Sequence, residues 1–467
     1  MLVVLLVAVL LLGLADSIVG PFLVLFGANA AHLSALQIGV LSSVTASSGL
    51  ALSWWLARRY DRRPSRRPAV LAVLAPAAGY LLLTTTTAYA ALLVIAATLL
   101  GAGLAGFPQL FALAKGRLSD SGGAGPPGGR RVGGTPVLRS AWSLAWAVGP
   151  LIGAVVLSRF GFTGLFVVAA VLFTAVTVPL VGIGPSRAGG EAVGAQPAMG
   201  ARPAMGARPA MGARPAVGDR AAVGDGPAGT APVRTAGANR AEAAYGADTA
   251  NGADAATAER RRPPRRTMAL LLAGCTLFFT AVLAGSVVLP LFVTRTLGQP
   301  ESDVGLLFSV CAVVEIPAGL ALMWLPAGVR MDRLIVGGMA LLAVYFGLIT
   351  IASGNAIMIG AQVARGVAIA VVAALGISYF QELMPDAPAR ATTLFSNTFT
   401  TGSLISGVLA GAAAQFVGYR AAQAICGALA LTGALCVLAA ANRAMDTGGV
   451  AEGASRTKVG ATGSRPR

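Results

Sequence analysis

Twelve apolar stretches, each long enough to cross a bilayer as a helix, constrain this chain more than any other feature. A spanning helix needs about 20 mostly apolar residues. Backbone polar groups in lipid must pair internally, and no stretch shows the alternation of about ten residues that membrane strands require. The sequence therefore predicts an all-α membrane protein with twelve transmembrane helices. They are expected at 2–27, 36–57, 69–88, 90–113, 137–158, 162–183, 268–293, 303–326, 332–353, 355–380, 391–416 and 419–441.

The distribution of charge supports a membrane protein and argues against a nucleic-acid partner. Charged residues make up 11% of the 467 residues, against about 25% in soluble domains. The net charge is +17, but the arginines lie in loops and in one long linker and form no basic face on a helix. We therefore expect a lipid bilayer as the surroundings and no binding of nucleic acid.

The short loops alternate between arginine-rich and nearly bare. Basic residues concentrate on the cytoplasmic side of membrane proteins, so this alternation predicts a bacterial inner-membrane protein with both termini in the cytoplasm. The first stretch lacks a basic leader, and we interpret it as a retained helix whose true start lies upstream. The arginine-rich loops carry Arg58, Arg59, Arg62, Arg63, Arg66 and Arg67, then Lys115, Arg117, Arg130 and Arg131, then Arg330 and Arg333.

A linker divides the helices six and six. Residues 184–266 consist mainly of Ala, Gly, Pro and Arg and include repeats of Ala-Arg-Pro-Ala-Met-Gly. Such a composition buries too little apolar surface to fold. We predict an N-terminal half at 1–183, a disordered cytoplasmic linker at 184–266, a C-terminal half at 267–442 and a cytoplasmic tail at 443–467.

The two halves repeat each other in sequence. Pro21-Phe22-Leu23-Val24 corresponds to Pro290-Leu291-Phe292-Val293, and Arg59-Tyr60-Asp61-Arg62 corresponds to Arg330-Met331-Asp332-Arg333. Parallel repeats of six helices hold a substrate between the halves, near the midplane, and move against each other to give alternating access. The repeat therefore predicts a transporter of a small molecule, working as a monomer.

The sequence offers little for a cofactor, a metal or an enzyme. The four cysteines lie in apolar stretches without a CxxC spacing, and there is one histidine, His32. No phosphate-binding GxxxxGK[ST] motif occurs, which argues against an ATP-driven pump. We expect no disulfide, no metal and no cofactor.

Several strings resemble the major facilitator superfamily and, within it, the bacterial sugar efflux transporters. The Arg-x-Asp-Arg after the second helix is similar to the superfamily's loop motif. Ser143-Leu144-Ala145-Trp146, Glu315-Ile316-Pro317 and Tyr379-Phe380-Gln381-Glu382-Leu383-Met384-Pro385 are similar to the sugar exporters. The resemblance implies two pseudo-symmetric six-helix bundles and export of sugars or glycosides by proton antiport.

Three charged residues at bilayer depth are the first candidates for the substrate and proton pathway. A charge there is costly, by about 2.5–3.5 kcal/mol on insertion scales, so each must pair, lose its charge or face a cavity. Asp16 and Glu315 are interpreted as proton or substrate sites and alternatively as structural hydrogen-bonding groups. Arg365 is expected to pair with Glu315 or Asp16, or alternatively to extend to the membrane surface. All three are expected to meet at the seam between the halves.

Four polar groups at bundle depth and one arginine at the cytoplasmic start of the fifth helix complete the predicted pathway. They are Gln109, Trp146, Gln362 and Asn397, and Arg139. Amides would bind sugar hydroxyls, and Trp146 would stack on a sugar ring, unless it is ordinary packing. Arg139 either guards the cavity mouth or marks topology.

A cytoplasmic gate is predicted from Asp61, Arg62, Arg66, Arg67, Asp332 and Arg333. Family resemblance implies that the aspartate caps a helix end and pairs with arginine in one conformation. A carboxylate at a helix N-terminus contributes roughly 0.3–1 kcal/mol, enough to bias two nearly balanced states.

Other functions remain open at this point. An exporter of drugs or other small solutes is favoured by the apolar run Ala281-Val282-Leu283-Ala284. A membrane enzyme or a sensor is the remote alternative.

Overall fold

Helices make up the regular structure of this protein wherever its chain is described. The computed structural model describes residues 2–62, 67–106, 110, 134–182, 264–326 and 328–460. The N-terminal half contains α1 (Leu2–Val19, continued by short turns to Ala30), α2 (Ala35–Arg62), α3 (Arg67–Leu83), α4 (Tyr89–Ile95, continued to Gly103), α5 (134–160) and α6 (162–182). The C-terminal half contains α7 (Arg265–Leu291, continued to Thr296), α8 (Glu301–Ala321), α9 (Met331–Ile351), α10 (Asn355–Leu383), α11 (Pro388–Val417) and α12 (Tyr419–Gly460).

The twelve predicted helices are confirmed. Within the described ranges, nine helical segments are long and apolar enough to cross a membrane. One of them, Ala141–Val181, holds both α5 and α6, because Gly161 breaks the helix with a φ of 63°. The shorter apolar helices α3 and α4 complete the set.

Two helix ends differ from the sequence prediction for local reasons. We expected α3 to reach residue 88, but it ends at Leu83, where Thr84 and Thr85 turn their hydroxyls onto the carbonyls of Leu81 and Leu82. Threonine competes with the helical backbone in this way. At the other end of the chain, α12 continues through the predicted tail as far as Gly460. The predicted linker lies almost entirely outside the described residues.

The internal repeat is visible in the backbone as well as in the sequence. Both α1 and α7 finish in a π-helical turn, at Phe26–Ala30 and Phe292–Thr296, 266 residues apart. After each turn the same backbone bond forms: the Leu33 N–H donates to the Gly27 carbonyl at 2.8 Å, and the Gln299 N–H donates to the Val293 carbonyl at 3.1 Å. The two halves therefore share detailed geometry in addition to helix order.

Glycine makes the corresponding corner in each half. Gly161 separates α5 from α6, and Gly418 separates α11 from α12, with φ angles of 63° and 86°. Side chains other than glycine rarely adopt such angles. Each pair of long helices therefore reverses direction at a position only glycine occupies without strain.

Two seams join the halves at one end of the molecule. At the first seam, Gly39 of α2 packs on the backbone of Gly407 and Gly411 of α11. At the second, Gly305 of α8 packs on the Pro150 carbonyl and on Ala154 of α5. The seams are equivalent in the repeat: Gly39 corresponds to Gly305. Small residues allow this close approach of membrane helices.

The two ends of the bundle are named here by these features. The sealed end holds both seams and the loops that follow α1 and α7. The basic end holds the arginine-rich loops that follow α2 and α8. The cavity described below lies between them, inside the seams.

A larger side chain at Gly39 should force the helices of the first seam apart and destabilise the folded protein. A Cβ on Gly39 would collide with the Gly407 carbonyl, so we expect Gly39→Val to lower the free energy of unfolding by about 1–3 kcal/mol, the usual cost of overpacking. Gly347→Val is the matched control, because a Cβ there meets nothing within 4 Å. Unfolding of the two purified variants in mixed micelles tests this, and equal losses would contradict it.

Candidate substrate cavity

A cavity of about 460 Å³ lies between the two halves. Pockets for small organic ligands have volumes of roughly 300–1,000 Å³. Helices α1, α2 and α5 form one wall, and helices α7, α8, α10 and α11 form the other. The cavity thus lies where the repeat predicts a substrate site, with both halves contributing to it.

Arg365 is the buried cation of the cavity. Its side chain is only 4% exposed, which excludes the alternative that it extends to the membrane surface. The guanidinium donates to the Ser286 hydroxyl of α7 and, at 3.4 Å, to the Gln362 side-chain oxygen one turn back. It also lies 5.3 Å from the centre of the Phe308 ring and 5.6 Å from that of Tyr345. Aromatic faces attract a cation at such distances.

Glu315 and Ser286 complete the charged side of the cavity. Glu315 lines the same cavity as Arg365 and attracts it electrostatically, so these two predicted residues are brought together. Ser286, which the sequence analysis missed, accepts from Arg365 and donates to the Val282 carbonyl at 2.7 Å. A serine in an apolar helix gives no sequence signal, because it can satisfy itself on its own helix.

The opposite wall is aromatic and weakly polar. Trp142 and Trp146 of α5 line the cavity together with Ser143, Ser42 and Thr45. The indole nitrogen of Trp146 is buried and has no hydrogen-bond partner among the described residues. An indole face suits the C–H side of a small organic ligand.

Asp16 does not meet Glu315 and Arg365 as we expected. It is not among the residues that line the cavity. On α1 it shares a face with Gly13 and Gly20, which pack on Trp142 and Trp146, because residues three and four apart lie on one side of a helix. It interacts electrostatically with Tyr80 of α3. Asp16 therefore lies within the N-terminal half, on the side of α1 that faces α3 and α5.

The remaining predicted pathway residues are distributed differently. Gln362 is fully buried behind the cavity and contacts Arg365, so it supports the site without lining it. Asn397 of α11 is also absent from the lining, and its side-chain oxygen is buried without a partner in the described structure. Arg139 lies in α5 but its side chain is not described, and Gln109 lies outside the described residues.

Only part of the predicted gate lies within the described side chains, and Asp332 is the member with a defined partner. Asp332, in the first turn of α9, pairs with Arg330 at 2.5 and 3.2 Å. Both residues line a second cavity of about 600 Å³ at the basic end, with Tyr379 and Glu382 of α10. Arg67 begins α3 and is exposed; the side chains of Asp61 and Arg62 are not described, and Arg66 lies outside the described residues.

The isolated arginines of the sealed end have structural roles that the sequence analysis did not assign. Arg420 donates to the carbonyls of Thr350 and Ala352, where α9 ends, and lies 5.5 Å from the centre of the Phe292 ring. A cation satisfies carbonyls well at a helix C-terminus. Arg295 bonds to Asn29 of the other half.

The described cysteines form no disulfide. Cys275, Cys311, Cys426 and Cys436 are all free thiols. Among the residues described, no group of three or more metal-ligating side chains comes together.

Comparison with known proteins identifies the family. The family model described as Major Facilitator Superfamily matches residues 5–353 and 270–459. The chain belongs to this superfamily. It is therefore a multi-pass membrane transporter, and its family places it outside the enzymes.

Named relatives extend over almost the whole chain. A Deinococcus radiodurans protein described as a candidate sugar efflux transporter is 35% identical over 425 residues, which cover 91% of this chain and 94% of that protein. Sugar efflux transporter A of Dickeya chrysanthemi is 27% identical and covers 92% and 93%. Sugar efflux transporter A of Escherichia coli is 27% identical and covers 88% of both chains. The resemblance to sugar exporters seen in short strings is confirmed.

Solved structures share the fold at much lower identity. The nucleoside transporter NupG superposes with a TM-score of 0.67 at 13% identity, covering 94% of this chain and 98% of that one. A peptide transporter of the POT family gives 0.64 at 15% identity, covering 95% and 94%. At these identities the likeness concerns the fold alone.

Removing the Ser286 hydroxyl should destabilise the folded protein, because Arg365 loses an acceptor. A buried guanidinium that loses an acceptor costs about 1–3 kcal/mol, so we expect Ser286→Ala to lower the free energy of unfolding by that amount. Ser42→Ala is the matched control: Ser42 lines the same cavity, and among the described residues its hydroxyl donates to the Ile38 carbonyl of its own helix at 3.0 Å. Unfolding of both variants in mixed micelles measures the difference, and a loss in Ser42→Ala as large as that in Ser286→Ala would refute the role of the hydroxyl.

Proposed function

We propose that this transporter exports sugars or glycosides from the bacterial cytoplasm by alternating access. The observation that carries the proposal is the cavity between two repeated halves, with charged and hydroxyl groups on one wall and indoles on the other. Relatives named as sugar efflux transporters cover about nine-tenths of the chain. A small polar ligand with C–H faces fits both observations.

The arginine-rich loops support an orientation with both termini in the cytoplasm. By the positive-inside rule, the basic end faces the cytoplasm and the sealed end faces the periplasm. In this orientation the cavity is closed to the outside by the two seams. This is the conformation in which an exporter takes up its cargo from the cell.

Arg365, Glu315 and Ser286 are the proposed polar contacts for the sugar. A guanidinium presents several donors in a fixed plane, and charge-assisted hydrogen bonds are stronger than neutral ones. Trp146 lines the cavity and supplies an indole face for the C–H side of the ring. We therefore expect a sugar to bind between the halves and to contact both of them, which couples binding to their relative movement.

Proton antiport is the proposed source of energy, with Asp16 and Glu315 as the groups that exchange protons. A carboxylate at this depth is stable only when it is paired or protonated. Glu315 lines the cavity, so sugar and proton would compete there. Asp16 lies on the side of α1 that faces α3 and α5, so its protonation would alter packing within the N-terminal half.

A panel of labelled sugars and cationic drugs distinguishes sugar export from the second candidate function, export of drugs or other small solutes. Several apolar residues line the cavity near Arg365, which favours an exporter of drugs or other small solutes; they are Val282, Leu283, Val287, Phe308 and Ile369. Inverted vesicles that contain the protein should accumulate labelled sugars or glycosides when the interior is acid. Accumulation of cationic drugs without any sugar would support the second candidate and reject the first.

Replacing Arg365 should lower the affinity of the folded protein for sugar. Arg365→Met keeps the length of the side chain and removes its donors. We expect the apparent affinity for sugar to fall by roughly 10- to 100-fold, the value of one or two charge-assisted hydrogen bonds. Concentration-dependent uptake in inverted vesicles, corrected for the amount of folded protein, measures it. Unchanged affinity would remove Arg365 from the site.

Neutralising Asp16 and Glu315 should remove proton coupling and leave the movement of the halves intact. We expect Asp16→Asn and Glu315→Gln to abolish accumulation driven by a pH gradient and to retain sugar-for-sugar exchange, because exchange needs no proton. Asp386→Asn is the control, since Asp386 lies in the exposed loop between α10 and α11. Normal gradient-driven accumulation in both variants would reject proton coupling through these groups.

The linker is proposed to act as a tether between the halves. Its composition lacks large apolar side chains. Deletion of residues 190–258 should leave uptake of sugar by inverted vesicles unchanged per folded molecule. Loss of uptake in a variant that still folds would assign the linker a further role.

A further inference from the structure

A polar bridge crosses between the halves at the sealed end, outside both glycine seams. Arg295 donates to the side-chain oxygen of Asn29 at 2.7 Å and to the Ala28 carbonyl at 3.2 Å. The Asn29 side-chain nitrogen donates to a carboxylate oxygen of Glu301 at 2.6 Å. A single amide therefore joins a guanidinium and a carboxylate of the C-terminal half to the end of α1. We call Asn29, Arg295 and Glu301 the sealed-end latch.

The position of the latch follows from the repeat. Asn29 is the fourth residue of the π-helical turn Phe26–Ala30, and Arg295 is the fourth residue of the turn Phe292–Thr296. Equivalent positions in the two halves therefore contact each other, as they do only close to the axis that relates the halves. A contact there spans the line along which the sealed end must divide when it opens.

The chemistry of the latch differs between the halves. Position 295 is an arginine and position 301 a glutamate, whereas the equivalent positions 29 and 35 are Asn29 and Ala35. An amide has a donor and an acceptor, so Asn29 satisfies both charges at once. The charges on one half and the amide on the other make the contact specific for the closed arrangement.

The latch is also suited to being broken. Arg295 is exposed, and Asn29 and Glu301 are partly exposed, so water can replace each partner when the halves separate. Exposed charged pairs contribute little on their own. A modest contribution of this kind biases two conformations of similar free energy without fixing either.

We propose that the sealed-end latch sets the balance between closed and open forms of this end of the transporter. The proposal rests on the alternating access proposed above, but not on the identity of the substrate. Removing any of its three members should shift the population towards the form that is open at the sealed end. Rates of export should then be limited by reclosing.

The experiment measures this population directly and without a substrate. Spin labels are attached through Thr85→Cys and Ser353→Cys, in the loops that follow α3 and α9 at the sealed end, in a background whose four native cysteines are replaced and whose fold is retained. Pulsed electron resonance in nanodiscs gives the distribution of distances between the halves. We expect Asn29→Ala, Arg295→Met and Glu301→Gln each to raise the long-distance fraction at least threefold.

A matched control exists at the same end. Asn355 of α10 donates from its amide to the carboxylate of Asp303 at 2.6 Å, the same chemistry in the same turn of α8 but within one half. Asn355→Ala should leave the distance distribution unchanged. If polar bonds at this end served only to stabilise the fold, Asn355→Ala would shift the distance distribution as much as the latch variants do. That result would overturn the proposal.

A double variant provides the second readout. If Asn29 and Arg295 act through each other, Asn29→Ala combined with Arg295→Met should shift the population no further than either change alone. Additive shifts, or an unchanged distribution in the single variants, would reject the latch. The distance measurement contains no sugar, so the two proposals fail separately. Shifted distances without sugar transport would reject only the proposed substrate. Sugar transport with unchanged distances would reject only the latch.

Discussion

The structure depends on the close approach of four helices at one end of the bundle. Gly39 lies on the backbone of Gly407 and Gly411, and Gly305 lies on the Pro150 carbonyl. In lipid, apolar side chains give no hydrophobic drive for helices to associate, so close packing of small residues has to hold the halves together. Both seams lie near the same end, and the cavity lies between the halves inside them.

The buried guanidinium of Arg365 is the second constraint on the structure. The glycine seams join the two halves, whereas this charge is satisfied within one of them. A charge at this depth is costly unless it is paired or bonded. Ser286, Gln362 and two aromatic rings satisfy it within the C-terminal half, while Glu315 attracts it from the cavity wall. One half therefore holds the charge, and the other half holds the indoles. This asymmetry of composition within a symmetric backbone gives the cavity a polar and an aromatic side.

Much of the fold could be predicted from the sequence because lipid permits few alternatives. Hydropathy alone located the helices, since each apolar stretch must be helical and span the bilayer. Helix ends were less predictable: the threonines after Leu83 stop α3 earlier than their apolar neighbours suggested. The repeat could be predicted from the paired proline and Arg-x-Asp-Arg strings, and the π-helical turns agree with it.

The site was only partly predictable. Depth in the membrane can be counted along a helix, and this identified Glu315 and Arg365. The direction of a side chain around the helix depends on which neighbours pack against it, and Asp16 was misplaced for that reason. Ser286 and Asn29 gave no signal, because a single small polar residue is common in membrane helices and its partner lies on another part of the chain.

The two glycine seams have a mechanical consequence. A body joined to another along one line can rotate about that line, but a body held at two separate places near its rim loses the freedom to slide or twist. With one seam on each side of the pseudo-symmetry axis, the alternating access proposed above requires both seams to release when the sealed end opens. Under that proposal the halves move along a single rocking coordinate, and a cargo bound anywhere between them experiences the same two end states.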